Sequence, residues 1–219
     1  VKDSGFFVAP MDDHLVHRGD GVFEAIRIIE GTPIDLKAHL DRMEKSAASV
    51  FLSFPFSRAE VEECLKAVIA AAGPRAGMIR MYLSRGPGGF SVSPTESVGP
   101  QLYVVITTFT AVPEEKYISG VSVMMAKIPQ KDSFFSQIKS CNYLQNVLLK
   151  KESLDQGFDF AVSFTEDGYL AEGPTENILI LTADNRLLAP SFDYTLRGTT
   201  LIRVLKLAES LRAQGVVKD

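Results

Sequence analysis

Cysteine is scarce in this chain: two residues, Cys64 and Cys141, occur among 219, with no CxxC spacing. That scarcity excludes a disulfide framework and a thiolate zinc site, and it leads us to expect a reducing compartment, the cytoplasm by default. An excess of positive charge is also missing, since 23 Lys plus Arg face 27 Asp plus Glu for a net charge of -4. No basic field exists to gather nucleic acid or anionic lipid. The longest apolar runs, such as Val104 to Ile106 and Ile178 to Leu181, fall far short of the ~18 residues of a bilayer span. Val1 to Pro10 lacks the charged and apolar regions of a leader, so no membrane partner is expected. His14 and His17 lie three apart without a third ligand nearby, and no metal site is expected there. The glycine-rich stretches Arg18-Gly19-Asp20-Gly21 and Gly86-Pro87-Gly88-Gly89 fit neither GxGxxG entering a helix nor GxxxxGK[ST], and read as tight turns. Internal repeats and low-complexity segments are absent.

What the chain does have is 46% hydrophobic and 23% charged residues, enough to bury a real core. Runs rich in β-branched and aromatic residues at Val22 to Ile29, Met78 to Leu83 and Gln101 to Phe109 predict strands. Helical spacing of Leu36, Leu40, Met43 and Ala47 predicts a helix over Leu36 to Ala48, with Asp41 and Lys45 facing water. Ser57 and Glu60 form a capping box opening a second helix, with Val61, Cys64, Leu65, Val68 and Ile69 on one face and Gly73-Pro74 as its stop.

The pattern breaks between Thr107 and Gly120, so two domains are expected, 1–112 and 113–219, each of mixed α/β (α+β) class. The second reads as strand Val121 to Lys127, helix Tyr143 to Gln156 ending at Gly157, and strand Phe158 to Thr165. An Asp167-Gly168 turn, strand Glu176 to Leu181 and helix Leu201 to Ala213 follow, the last with a stripe of Leu201, Val204, Leu205, Ala208 and Leu211.

Three places could carry chemistry. The turn Arg197-Gly198-Thr199-Thr200 opens an amphipathic helix, whose free N–H groups and positive dipole end suit a phosphate, although a threonine N-cap explains the same residues. Lys139 stands among apolar and small residues at the entry to a helix, where a solvated surface lysine is the plain alternative. Glu172 precedes a Gly-Pro bend and a strand, and by itself also reads as a surface residue.

Taken together, DHLVHRGDGVFEAIRI at Asp13 to Ile28, HLDRMEKSA at His39 to Ala47, KSCNYLQNVLLK at Lys139 to Lys150, GYLAEGPTENIL at Gly168 to Leu179 and LRGTT at Leu196 to Thr200 resemble, in order, the signatures of the fold-type IV pyridoxal phosphate enzymes. That group includes branched-chain and D-amino-acid aminotransferases and aminodeoxychorismate lyase. The resemblance implies a two-domain fold with pyridoxal 5'-phosphate (PLP) at the interface, in which Lys139 forms the internal Schiff base and Glu172 pairs with the pyridine nitrogen. It implies further that Arg42 and the Thr199/Thr200 turn hold the phosphate, Tyr143 lies near the phenolic oxygen and Leu196 packs on the ring. Such chemistry needs an amine that can deprotonate for imine exchange and a carboxylate that keeps the ring nitrogen protonated.

Val22 to Arg27 and Ile79-Arg80 are similar to the branched-chain aminotransferase runs, which makes Arg27 and Arg80 candidates for binding substrate, beside the plain reading of strand charges with ion-pair partners. The implied activity moves an amino group from an aliphatic amino acid to a 2-oxo acid. An Arg-x-His carboxylate trap of the D-amino-acid type is missing near Phe90, where Phe90-Ser91-Val92 stands instead. A lyase releasing pyruvate and 4-aminobenzoate is the alternative; that subgroup usually has a hydroxyl residue in place of Glu24, whereas Ser84 to Gly89 is reminiscent of it. A homodimer is implied as well. The resemblance also implies that the second domain is incomplete and the beginning shortened, since the family continues well past the Thr199/Thr200 turn. A trimmed copy of a longer protein is expected, because an unfinished domain exposes apolar sheet at ~25 cal/mol per Å²; a noncatalytic fragment is the other reading.

Overall fold

The computed structural model describes residues 8–73 and 76–214. Part of the Val1 to Pro10 stretch and Pro74 of the expected helix stop lie outside them. The chain divides into two compact units, Val1–Ala111 with Lys139–Asn142, and Val112–Ile138 with Tyr143–Asp219.

The first unit opens with a short helix α1 (His14–Arg18), started by the Asp13 side chain, which accepts from Leu15 N, and stopped by Gly19 at φ 66°. Strand β1 (Gly21–Ile29) follows, then β2 (Thr32–Pro33), α2 (Leu36–Ser49), α3 (Arg58–Ala72), β3 (Ala76–Ser84) and β4 (Gln101–Thr107). The strands form one antiparallel sheet in the order β2-β1-β3-β4, with Gly21 opposite Ser84 and Met78 opposite Thr107. Period-two alternation then sorts the side chains. Val22, Ile26 and Ile28 of β1 and Ile79, Met81 and Leu83 of β3 are fully buried on one face, with Leu40 and Met43 of α2 and Val61 and Leu65 of α3 completing the core. Burying each such side chain contributes about 1.5–3 kcal/mol.

Helix α3 has the expected box, Ser57 N donating to the Glu60 carboxylate at 2.7 Å, and ends at Gly73 with φ 65°. One residue departs from the sequence reading: Cys64 is exposed. The buried seam of α3 needs only Val61 and Leu65, one turn apart, and Cys64 falls outside that narrow stripe.

The second unit contains α4 (Glu114–Ser119), β5 (Val123–Met125), α5 (Ser133–Ser136), α6 (Leu144–Asp155), β6 (Phe160–Val162), β7 (Ile180–Leu181), β8 (Leu187–Leu188) and α7 (Thr199–Ala213). Strands β5 and β6 pair in parallel, Met124 beside Ala161, a geometry that requires the crossover α5 and α6 supply. Beyond β6 the chain turns back at Gly168, φ 80°, with Ala171 N donating to Ser163 O at 3.0 Å and Ser163 N to Glu172 O at 3.0 Å. The expected strand Glu176 to Leu181 is ordered as a strand only over Ile180–Leu181. Upstream of it, Gly173 N donates to Glu176 O at 2.9 Å, which folds the Gly-Pro bend on itself in place of a ladder. Along α7 only Leu201 of the expected stripe is fully buried, and Val204, Leu205, Ala208 and Leu211 are half-buried. Among the described residues no helix is long and apolar enough to cross a membrane.

Candidate active site

In the first unit, Lys139 to Cys141 lie along the outer edge of β1. Phe23 N donates to Lys139 O at 2.9 Å, Cys141 N donates to Gly21 O at 2.8 Å, and Val22 pairs with Ser140. Lys139 N also donates to Ser46 Oγ of α2 at 3.2 Å. The lysine is therefore fixed by its backbone on both sides, and its Nζ sits 4.5 Å from the centre of the Phe23 ring. Phe23 stacks on Tyr82, ring centres 5.9 Å apart.

Register places Phe23, Ala25 and Arg27 of β1 opposite Tyr82, Arg80 and Met78 of β3. Side chains directly opposite share a face, so Arg27 and Arg80 are on the same face of the sheet as Phe23 and the Lys139 amine. Arg27 Cζ lies 3.3 Å from the centre of the Phe109 ring. Its Nε is buried and has no hydrogen-bond partner among the described residues. An orphaned buried donor of this kind suits an anionic ligand.

Arg42 is on the opposite face. Its Nε donates to Glu24 Oε1 at 2.7 Å and its Nη2 to Glu24 Oε2 at 2.6 Å, while His39 Nδ1 lies 2.6 Å from the same Oε2. Glu24 is fully buried. Burial pushes its carboxyl up, but the hydrogen bonds and charges of Arg42 and His39 outweigh that and hold it below the ordinary glutamate value. Cys141, two residues past the lysine, is pushed up to about 12 by burial, against the opposing pull of Lys139.

In the second unit the remaining candidates gather around Glu172. Its Oε2 accepts from Leu196 N at 3.0 Å and from Asn177 Nδ2 at 3.2 Å, and its Oε1 accepts from Gln130 Nε2 at 3.3 Å. Three donors directed at two oxygens suit the acceptor-only carboxylate. Leu196 is half-buried, and its carbonyl accepts from Gly198 N at 2.8 Å. Gly198 is the N-cap of α7 and supplies no side-chain cap, so Thr199 and Thr200 are the first residues inside the helix rather than its cap. The first N–H groups of a 15-residue helix stand at that turn, the arrangement an anion needs. Tyr143 Oη donates to Pro174 O at 3.2 Å, and its ring carries Lys131 Nζ at 5.0 Å. Burial pushes Lys131 down from the ordinary lysine value, and Glu172 partly opposes this.

The structure thus brings Glu172, Leu196 and the Thr199/Thr200 turn together in one unit, and Lys139, Arg27 and Arg80 onto one sheet face of the other. It also reveals participants that sequence reasoning did not single out: Ser46, His39, Gln130 and Asn177. Residue type gives no signal for these, since polar side chains of this kind are mostly solvated. In residue type the candidates suit PLP: an amine in the first unit, and in the second a carboxylate held by N–H donors and the N-terminus of a 15-residue helix.

Comparison with known proteins gives the family. The chain is 38% identical to a chloroplastic D-amino-acid transaminase of Arabidopsis thaliana, over all of its own length and 58% of that protein's. It superposes on the T.th. branched-chain amino acid aminotransferase, solved with pyridoxamine 5'-phosphate, with a TM-score of 0.86 and 28% identity, covering 93% of this chain and 69% of that one. The 4-amino-4-deoxychorismate lyase of Pseudomonas aeruginosa shares the fold, with a TM-score of 0.83 and 23% identity, covering 94% of this chain and 76% of that one. The family model for amino-transferase class IV matches residues 21–218. The chain belongs to the class IV aminotransferases, enzymes of fold type IV.

Proposed function

We propose that this chain is a PLP-dependent aminotransferase that moves an amino group from an aliphatic, branched-chain-like amino acid to a 2-oxo acid. One observation carries the reading: Arg27, with its orphaned buried Nε, lies on the same sheet face as Arg80 and the Lys139 amine. Both substrates of an amino transfer carry a carboxylate, and guanidinium groups are the side chains best shaped to hold one.

When bound, PLP supplies an electron sink for the pair left behind as the substrate Cα loses its proton. Lys139 would hold the cofactor through its amine, and its Nζ is the group that would take the substrate Cα proton as general base and return it as general acid. The Phe23 ring, 4.5 Å from that Nζ, is a flat apolar support. Glu172 would face the ring nitrogen and keep its proton in place. The N–H groups at Thr199 and Thr200 would hold the phosphate and so aim the reactive carbon; the family resemblance gives Arg42 a share in that role, although its Nε and Nη2 are here given to Glu24. Arg27 and Arg80 orient the substrate carboxylate. The sum is redox-neutral: the donor amino acid leaves as a 2-oxo acid, and the acceptor 2-oxo acid leaves as an amino acid. A homodimer is part of the same proposal, on the family resemblance alone.

The test is direct. The PLP-loaded chain is given leucine or valine, in the L and D forms separately, with 2-oxoglutarate. Glutamate should form from one hand of donor and vanish in Lys139→Ala. Pyruvate release from 4-amino-4-deoxychorismate without any acceptor identifies the lyase instead. Absence of both reactions in a chain that binds PLP identifies a noncatalytic fragment.

A further inference from the structure

Two carboxamides in the second unit each hold Glu172 with one hand and the segment before α7 with the other. Asn177 Nδ2 donates to Glu172 Oε2 at 3.2 Å and to Leu196 O at 3.0 Å. Gln130 Nε2 donates to Glu172 Oε1 at 3.3 Å and to Tyr194 O at 2.6 Å. Gln130 is itself oriented, because its Oε1 accepts from Ser163 Oγ at 2.8 Å and that hydroxyl also reaches Glu172 O at 2.8 Å. Leu196 N closes the ring of contacts on Glu172 Oε2 at 3.0 Å. Gly198 makes the approach close: a Cβ built there would run into the Asn177 side-chain oxygen. The Gly198 backbone, at φ -60° and ψ 133°, is one that any residue adopts. Glycine is needed at 198 because of Asn177, not because of the backbone.

We propose that Asn177 is a positioning residue that buckles the Glu172 carboxylate to the turn opening α7, so that the group facing the ring nitrogen and the group anchoring the phosphate form one rigid piece. The inference rests on the roles given above to Glu172 and to the Thr199/Thr200 turn. Its physical content is coupling. A change at either end of the buckle reaches the other end through the Asn177 amide, beside the direct Leu196 N contact and the Gln130 bridge.

The experiment uses the chain with PLP and four variants, E172Q, N177A, G198A and N177A/G198A. Each is titrated with PLP and with pyridoxal, which lacks the phosphate, while the visible absorption of the bound cofactor is recorded; melting of the cofactor-free variants is followed in parallel. N177A should move the visible band in the direction E172Q moves it and weaken PLP binding by about tenfold or more. G198A, a change at the phosphate end, should move the same band. Because trimming Asn177 makes room for the new methyl, adding G198A to N177A should change PLP affinity by less than about threefold.

The proposal is overturned if N177A leaves the band in place while E172Q moves it, or if G198A costs the same affinity in both backgrounds. A merely structural asparagine lowers melting and does neither. Should N177A fail to fold, G198A alone decides, since an unmoved band there has the same meaning. A band unmoved by E172Q overturns the ring-nitrogen assignment itself, and the inference with it.

Discussion

Arg42 and Glu24 meet side-on, Nε at 2.7 Å from Oε1 and Nη2 at 2.6 Å from Oε2, with the carboxylate fully buried between β1 and α2. The guanidinium fork matches a carboxylate edge, so the pair fixes the direction of Arg42 as well as satisfying it. Desolvating both charges is costly, and the pair is worth little against an apolar substitute; removing one partner is another matter. Glu24→Ala leaves Arg42 and His39 facing each other without the anion. A loss of about 3–5 kcal/mol is expected, read as a lower urea midpoint for the first unit. An unchanged midpoint would mean the pair is a bystander.

Acid should weaken the same contact. The Glu24 carboxyl is held below the ordinary glutamate value of 4.5, burial raising it and Arg42 and His39 together lowering it further. A depressed carboxyl stabilises the folded state fully above the unfolded value, and that contribution is lost as pH falls through the folded value. The stability difference between the natural chain and Glu24→Gln should therefore be constant from pH 7 to about 5 and shrink below about 4.5. Urea midpoints of both proteins at stepped pH give the difference. A gap that widens on acidification contradicts the assignment.

Legibility of the sequence followed the range of the interactions. Local chemistry was readable. The Ser57 and Glu60 spacing located α3 to the residue, and alternation located the three long strands, because caps and pleats depend on near neighbours. Glu172, Leu196 and the Thr199/Thr200 turn were legible as a set only through resemblance, and the structure shows why they belong together: Leu196 N and Asn177 converge on one carboxylate. Cys64 and the short β7 were misread for one reason. Periodicity gives the side of an element that is apolar, but not how wide a stripe its neighbour covers, nor whether a bend such as Gly173 to Glu176 takes the hydrogen bonds a strand would use. Gln130 and Asn177 act across 42 and 5 positions to reach Glu172, and no local pattern encodes such contacts.

The capping box offers a clean local measurement. Ser57 Oγ accepts from Glu60 N at 3.3 Å, and Glu60 Oε2 accepts from Ser57 N at 2.7 Å, both at an exposed helix start. Ser57→Ala removes one acceptor from the first turn of α3 without touching the core. A loss of about 1 kcal/mol is expected, against about 3–5 kcal/mol for Glu24→Ala. Reversal of that order in paired urea titrations would mean that the buried carboxylate is compensated by rearrangement.

The two thiols should separate by rate. Cys64 is exposed on α3. Cys141 is half-buried beside Lys139, and burial pushes its thiol up to about 12, with the lysine charge only partly offsetting this. Because the thiolate is the reactive form, Cys141 is almost wholly protonated at neutral pH and shielded as well. A disulfide reagent added to the native chain should give one fast equivalent, which Cys64→Ser removes, and a second only on unfolding. A fast equivalent that survives Cys64→Ser would show that the Lys139 amine activates its neighbour instead of merely adjoining it, and the environment assigned to that lysine would then have to be more polar than the Phe23 ring beneath it allows.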